Sequence, residues 1–144
     1  SIRVFQMPAV DQCEPQIIRA LEKDGWVVRD RPFSIRISEA RPSHVYADLR
    51  LSQVENDSQV IVSEVKCFSR QSLLDAFYGA IGQYVTYRQA LSLAQLSYEL
   101  YLAVPDDIYD GFLATMLTRQ VITELRIKII VVNLDTERVL KWIS

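Results

Sequence analysis

The sequence has little of several residue types, and each shortage excludes a class of protein. Only 4 of its 144 residues are glycine and 5 are proline, too few for a low-complexity linker or a collagen-like repeat. No apolar run approaches the roughly 18–20 residues of a membrane-spanning helix. Since 16 Lys and Arg face 18 Asp and Glu, the net charge is −2. A broad positive surface that holds nucleic acid non-specifically is therefore excluded.

Cysteine is also scarce. Cys13 and Cys67 are the two in the chain, and their spacing matches neither a CxxC pair nor a zinc-ligand pattern. Such usage is typical of reduced thiols in a reducing compartment, so we expect free thiols, a cytoplasmic location and no membrane partner. Residues 1–10 show no charged leader followed by an apolar run, so no targeting segment is expected.

The residues that are present, 49% apolar and 24% charged, suit a single globular domain over residues 1–144. Asp11 is the expected N-cap of the first helix, with Glu14 at the capping-box position. Apolar periodicities place helices over residues 11–24, 72–94 and 108–117, a helical turn before residue 127, and strands over residues 26–28, 35–37, 45–51, 60–66, 99–104, 127–132 and 138–143. This order predicts an α/β fold, a mixed β-sheet flanked by α-helices.

The predicted strand over residues 60–66 carries the main chemical signal. Glu64 and Lys66 share one face of it, because side chains alternate along a strand. If the preceding hairpin turns through an odd number of residues, Asp48 lies opposite Glu64 on that face. Two carboxylates so close at a buried sheet edge require a proton or a cation. Asp48, Glu64 and the Val65 carbonyl therefore form a candidate site for Mg²⁺ or Mn²⁺.

This candidate site points to phosphodiester hydrolysis. A metal-bound water is easier to deprotonate, and Lys66 could position that water or neutralise a phosphate. The alternative is a solvated strand end, where Glu64 and Lys66 form an ion pair and Asp48 is hydrated. Arginines of the first third form either a phosphate-facing patch or solvated positions: Arg29, Arg31, Arg36, Arg41 and Arg50.

Several segments along nearly the whole chain have a familiar combination of residues. They read LEKDGWVV at 21–28, YADL at 46–49, EVKCF at 64–68, AIGQYVTYR at 80–88, LYLAVP at 100–105 and VLKWI at 139–143. With them the chain closely resembles the XisH family, the fdxN-element excision controlling factors of cyanobacteria. The resemblance implies a role in excision of a DNA element. The partners it implies are an XisI-like protein, DNA bound together with that protein, and a recombinase.

The XisH family in turn resembles the PD-(D/E)XK nuclease superfamily, which has a restriction-endonuclease-like fold. That superfamily's motif places an Asp on one strand and Glu-x-Lys on the next, and Asp48, Glu64 and Lys66 match it. Ala47 stands where the superfamily often has proline. Because that proline shapes the backbone and binds no metal, the difference leaves the metal site possible.

The same resemblance implies three supporting residues. Glu14 matches an acidic residue early in the first helix, and Gln83 and Tyr87 match a Gln-x-x-x-Tyr on the helix after the motif. Gln83 and Tyr87 share a helix face, from which they could contact a phosphate or the metal's ligands. The alternatives are that Glu14 is a helix cap, that Tyr87 packs in the core and that Gln83 caps a strand end.

Two functions remain open from the sequence. The first is a Mg²⁺-dependent deoxyribonuclease. The second is a catalytically silent regulator with a nuclease fold, which binds an XisI-like partner or a recombinase to control excision. The net charge of −2 favours the second over a solitary DNA binder. The predicted edge strand over residues 138–143 could also pair with a second copy, giving a homo-oligomer.

Overall fold

The computed structural model describes residues 11–69 and 72–144. The expectation about a leader in residues 1–10 lies outside them. The helices are α1 (Glu14–Lys23), α2 (Leu73–Leu93), α3 (Asp106–Asp110) and α4 (Met116–Leu125), with a 3₁₀ helix over Phe112–Ala114. The strands are β1 (Trp26–Asp30), β2 (Phe33–Arg36), β3 (His44–Ala47), β4 (Leu49–Gln53), β5 (Val60–Val65), β6 (Glu99–Pro105), β7 (Ile129–Asn133) and β8 (Arg138–Ile143).

A six-stranded sheet in the order β1-β4-β5-β6-β7-β8 forms the centre of the fold. β6 pairs in parallel with β5 and β7, and the other neighbours are antiparallel. β2 and β3 form a separate antiparallel pair. The predicted α/β fold with a mixed sheet and flanking helices is confirmed. Among the described residues, no helix is both long and apolar enough to cross a membrane.

Helices α1 and α2 cover opposite faces of this sheet. One buried cluster joins Tyr84 of α2 to Val62 of β5, whereas a second joins Ile17 of α1 to Val65 of the same strand. Because neighbouring side chains of a strand point to opposite faces, β5 is buried on both sides. This explains its nearly continuous apolar sequence. Glu64 is an exception, because it is a charged side chain on the buried α2 face of the strand.

Two predicted elements are divided in the structure. The strand predicted over residues 45–51 is interrupted at Asp48, because β3 before it pairs with β2 and β4 after it pairs with β5. The helix predicted over residues 108–117 is replaced by α3, the 3₁₀ helix and α4. The chain turns at Gly111, where an added Cβ would lie 2.9 Å from the Asp107 carbonyl oxygen. Apolar spacing does not reveal such turns, because Ile108 of α3, Leu113 of the 3₁₀ helix and Ile122 of α4 all pack in the same core cluster.

The prediction of two free thiols is wrong. Cys13 and Cys67 form a disulfide with their Cα atoms 5.9 Å apart, and the described part of the chain holds no free cysteine. The turn that leads into α1 lies against the residues after β5, which brings together two positions separated by 54 in the sequence. Sequence spacing carries no information about that distance in space.

The predicted capping box is also wrong. α1 begins after Cys13, which makes no side-chain cap. The Asp11 carboxylate instead accepts a hydrogen bond of 3.0 Å from the backbone N–H of Cys67. Glu14 accepts two hydrogen bonds from the Arg31 guanidinium, at 3.0 and 2.7 Å. Each acid therefore has a tertiary partner, and tertiary contacts override the local capping pattern.

Candidate active site

Asp48 and Glu64 lie side by side on neighbouring strands of the sheet. The pairing of β4 with β5 sets Leu49 opposite Ser63, and one further step in the same register sets Asp48 opposite Glu64. The backbone N–H of Asp48 donates to Glu64 Oε1 at 2.9 Å. The register predicted from the hairpin is confirmed.

The Asp48 carboxylate is held by the reciprocal contact. The backbone N–H of Val65 donates to Asp48 Oδ2 at 2.8 Å. Each acid of the pair is thus bound by an N–H from the other acid's segment of chain, so both carboxylates are fixed across one short gap. The Val65 side chain packs in the core cluster on the α1 face, so Val65 contributes to the site through its backbone.

Both carboxylates are removed from water, with Asp48 7% exposed and Glu64 1% exposed. Burial is the main cause that raises the pKa of each carboxyl above its ordinary range, and the Asp48 charge raises the pKa of Glu64 further. Because the two groups interact strongly, they titrate as a pair. The raised pKa values mean that the folded protein disfavours two charged carboxylates here unless a proton or cation joins them.

Lys66 is half-buried and follows Glu64 on the same face. Its positive charge lowers the pKa of both carboxyls, which partly offsets the effect of burial. None of the ion pairs between described residues joins Lys66 to Glu64. The alternative of a solvated strand end is therefore wrong, since the acid is buried and the lysine interacts with both carboxylates through space.

Helix α2 brings Tyr87 to the same place. Burial raises the pKa of Tyr87 to about 12, and the charges of Glu64 and Asp48 contribute to the shift. Tyr87 is also part of the core cluster, so its packing role and its place beside the acids coexist. Gln83 lies one helical turn earlier, and its Oε1 is buried without a hydrogen-bond partner among the described residues. The proposed strand-end cap is not made by this oxygen.

Glu14 reaches the pair from α1. Its charge raises the pKa of Asp48, but Glu14 itself is held by Arg31 at 2.7 Å. Asp11 also raises the pKa of both Asp48 and Glu64. Of the four acids named here, Glu14 has a fixed arginine partner, whereas none of the ion pairs between described residues involves Asp11, Asp48 or Glu64.

Most of the first-third arginines named above have protein partners. Besides Arg31, three of them have protein partners: Arg50 pairs with Asp30, Arg36 pairs with Glu39, and Arg29 donates to Ser52 Oγ. The guanidinium groups at those positions thus contact protein groups, and the alternative of solvated positions holds where the side chain is also exposed, as at Arg36.

The oxygen atoms of the pair fit a divalent cation. Glu64 Oε2 is buried and has no hydrogen-bond partner among the described residues, although a buried carboxylate oxygen ordinarily has one. The Asp48 carboxylate beside it supplies a second donor group. Mg²⁺ is commonly bound through one or two carboxylates and keeps several waters. Within residues 11–69 and 72–144, no group of three or more His, Cys, Asp or Glu could hold a metal, so the fit rests on the two carboxylates.

Comparison with known proteins identifies the family. Residues 7–140 match the XisH protein family. The chain belongs to the XisH family. Two solved structures are similar to this member. An XisH family protein from Nostoc punctiforme has 29% sequence identity and a TM-score of 0.81, and the match covers 92% of this chain and 100% of the other. A fdxN element excision controlling factor protein from Anabaena variabilis has 29% sequence identity and a TM-score of 0.82, and the match covers 93% of this chain and 100% of the other. No curated protein matches the sequence.

Sequence reasoning missed two residues of the site in this XisH family member. Asp11 was interpreted as a helix cap, and its hydrogen bond to the Cys67 backbone had no sequence signal. The sequence leaves Arg31 open between a phosphate-facing patch and a solvated position, whereas the structure places it on Glu14. A buried acid early in a helix requires a cation. The arginines close to Glu14 in the sequence were therefore the available signal for its partner.

Proposed function

We propose that this XisH family member is an excision controlling factor whose Asp48–Glu64 pair forms a Mg²⁺-dependent deoxyribonuclease site of the PD-(D/E)XK type. One observation carries the proposal: two buried carboxylates face each other, each oriented by a backbone N–H from the other's segment. None of the ion pairs between described residues involves either of them. Buried acids without a fixed cation are typical of sites that bind an exchangeable one.

The residues of the site have different proposed roles, which follow from their chemistry. Asp48, Glu64 and the Val65 carbonyl would hold the cation, which when bound supplies a more acidic water and stabilises charge on a phosphate. Lys66 would hold the attacking water or a phosphate oxygen, because its charge reaches both carboxylates. Tyr87 and Gln83 would contact the substrate phosphate from α2.

The two backbone hydrogen bonds explain why these acids suit the task. A carboxylate fixed by a backbone donor does not lose side-chain freedom when it binds a cation, so less binding energy is spent on ordering it. The remaining oxygen, Glu64 Oε2, is the buried atom without a partner. The pair is thus preorganised for a ligand that accepts oxygen donors.

The process in which the site acts follows from the relatives. The Anabaena variabilis protein is described as a fdxN element excision controlling factor, and we extend that role, excision of a DNA element, to this chain. The net charge of −2 and the protein partners of most described first-third arginines argue against a broad basic surface on the described part of the chain. An XisI-like partner or a recombinase would supply the remaining contacts to DNA.

A cleavage assay tests the nuclease proposal. Supercoiled and branched DNA would be incubated with the chain, alone and with an XisI-like partner, in Mg²⁺ or Mn²⁺. We expect metal-dependent nicking that falls by at least about 10²-fold in Asp48→Asn, because a metal ligand is lost. Asp57→Asn is the matched control, since it removes the same charge from an exposed turn. Cleavage that survives Asp48→Asn would overturn the assignment.

A regulator that does not cut DNA is the second candidate, and the engaged arginines favour it. It predicts stable association with a partner or recombinase and no cleavage under any metal condition. The two functions separate on one result: cleavage by the purified chain or complex that depends on Asp48.

A further inference from the structure

A covalent bond joins the two segments that carry the candidate site. Cys13 directly precedes Glu14, and Cys67 directly follows Lys66. The disulfide between the cysteines closes a loop with a sequence separation of 54. The carboxylate pair lies within that loop. The bond therefore ties the start of α1 to the chain that leaves β5, with the site between them.

Hydrogen bonds extend this link to the site. The Cys67 N–H donates to the Asp11 carboxylate at 3.0 Å, and the Cys13 N–H donates to Cys67 Sγ at 3.0 Å. The Asp11 charge in turn acts on both Asp48 and Glu64. The cysteines are thus linked by a hydrogen bond to Asp11, a group that acts on the carboxylate pair.

The disulfide is buried but can be reached. Cys13 is 5% exposed and Cys67 6% exposed. Both line a pocket of about 370 Å³ whose wall also includes Phe68, Ile108 and Leu134. A pocket of this volume admits a small thiol reagent at the disulfide, whereas a disulfide enclosed in a core would require unfolding first.

We propose that Cys13–Cys67 is a redox-control site: the disulfide holds the segments bearing Glu14 and Lys66 against the Asp48–Glu64 pair, and reduction by a dithiol loosens them. The effect on metal binding rests on the proposed function. The effect on the geometry of the pair does not, since it concerns the hydrogen bonds of this chain alone.

The reaction is thiol–disulfide exchange. A thiolate of the dithiol attacks one cysteine sulfur, the bond between Cys13 and Cys67 breaks, and a mixed disulfide forms. The second thiol of the reagent then attacks the mixed disulfide. The two cysteines leave as thiols after taking up the two protons released by the dithiol, and the reagent leaves as its own disulfide. Two electrons pass from the reagent to the protein.

Reduction removes the covalent constraint and leaves the weaker contacts. The start of α1 is then held by the hydrogen bond from Cys67 to Asp11, by the ion pair of Glu14 with the half-exposed Arg31, and by the packing of α1 in its core cluster. Loss of a group that positions metal ligands typically weakens metal affinity about 10–100-fold. We expect a loss in Mn²⁺ affinity of about tenfold, at the low end, because Asp48 and Glu64 keep their backbone partners.

The experiment uses the full chain in two redox states. One sample is oxidised, and the other is reduced with dithiothreitol that is removed before measurement. Free Mn²⁺ is followed by electron paramagnetic resonance. Hydrogen exchange is measured at the Asp48 and Val65 amides, which donate to the pair. Since the chain has 2 cysteines, the reductant acts only at this pair. The double variant Cys13→Ser with Cys67→Ser is the control that cannot respond.

Each outcome decides the proposal. Faster exchange at both amides on reduction, with weaker Mn²⁺ binding and no redox response in the double variant, supports it. Faster exchange with no Mn²⁺ binding in either state supports control of the geometry and defeats the proposed metal function instead. Equal exchange and equal Mn²⁺ affinity in both states overturn redox control while leaving the metal site standing. Failure of oxidised samples to form the disulfide, shown by thiol titration, also overturns it.

Discussion

Two kinds of buried acid lie within one site, and the fold treats them in opposite ways. Glu14 is buried and bound by the guanidinium of Arg31. Asp48 and Glu64 are also buried, yet they accept hydrogen bonds from backbone N–H groups. Burial raises the pKa of both Asp48 and Glu64, whereas Glu14 has the Arg31 guanidinium beside it.

The difference separates an acid that serves the structure from acids that are available to a ligand. The Arg31 guanidinium neutralises Glu14 in this structure, so that acid gains little from an added cation. The Asp48–Glu64 pair remains electrostatically unsatisfied in the absence of an added ion. A site for an exchangeable cation is expected where buried carboxylate oxygens form no ion pair with a lysine or arginine of the protein.

The largest effect is expected from removing Arg31, the guanidinium partner of Glu14. Arg31→Met leaves Glu14 buried without a partner, and we expect the free energy of unfolding to fall by roughly 1–3 kcal/mol. Chemical denaturation at neutral pH measures it. Arg36→Met is the matched control, because its partner Glu39 is 94% exposed in its side chain and exposed pairs contribute little. Equal losses for both variants would show that the burial of Glu14 does not matter.

The second test removes one acid of the unpaired set in metal-free protein. The folded-state pKa of Glu64 is raised. The carboxyl therefore leaves the free energy of unfolding unchanged below its unfolded-state pKa of about 4, and it lowers that free energy as pH rises from there through the folded-state pKa. Glu64→Gln should therefore raise the free energy of unfolding at alkaline pH by on the order of 1–2 kcal/mol. The gain should shrink toward pH 4.

Denaturation curves recorded from pH 4 to pH 9 with a metal chelator present measure this difference. Asp57→Asn, which lies in an exposed turn, should show no comparable dependence on pH. A destabilised Glu64→Gln at alkaline pH would contradict the view that the pair is left unsatisfied.

The third test adds the cation. Mg²⁺ at ten times its dissociation constant should stabilise the wild-type chain by about 1.4 kcal/mol. The apparent affinity should rise with pH through the raised pKa values of the pair, because ligands must lose protons before they bind a metal. Thermal unfolding with and without Mg²⁺ measures the effect, and Glu64→Gln should lose most of it. Stabilisation that falls as pH rises would place the cation elsewhere.

The smallest expected effect concerns Lys66. Its charge lowers the pKa of both carboxyls, so Lys66→Met should raise both pKa values. We expect the midpoint of Mg²⁺ binding against pH to move upward by less than about one pH unit. Calorimetric titration at several pH values measures the midpoint. An unchanged midpoint would mean that Lys66 does not act on the pair.

Much of this arrangement could be predicted from local pattern. The alternation of β5 and the hairpin before it placed Asp48 opposite Glu64, and the structure shows that register. The strand Arg138–Ile143 has the predicted bounds and pairs with β7 at the sheet edge. These predictions succeeded because strand alternation and antiparallel pairing are repeated regularities, which act over a few residues.

Other features could not be predicted because they depend on contacts between distant segments. The disulfide joins positions separated by 54, and the partner of Glu14 comes from the loop after β1. The break of the predicted strand at Asp48 arises because its two halves join different sheets. No local spacing distinguishes these outcomes from a free thiol, a helix cap or one continuous strand.

The sequence by itself determined the general succession of helices and strands, the register of the central hairpin and the family, because each follows from residue periodicity or from the residues themselves. It did not determine the divisions at Asp48 and Gly111. Tertiary structure alone decided which acids have a cation and which do not, and whether the two cysteines meet. The reason is physical: burial and charge pairing depend on which surfaces come together in three dimensions, and that depends on the whole chain.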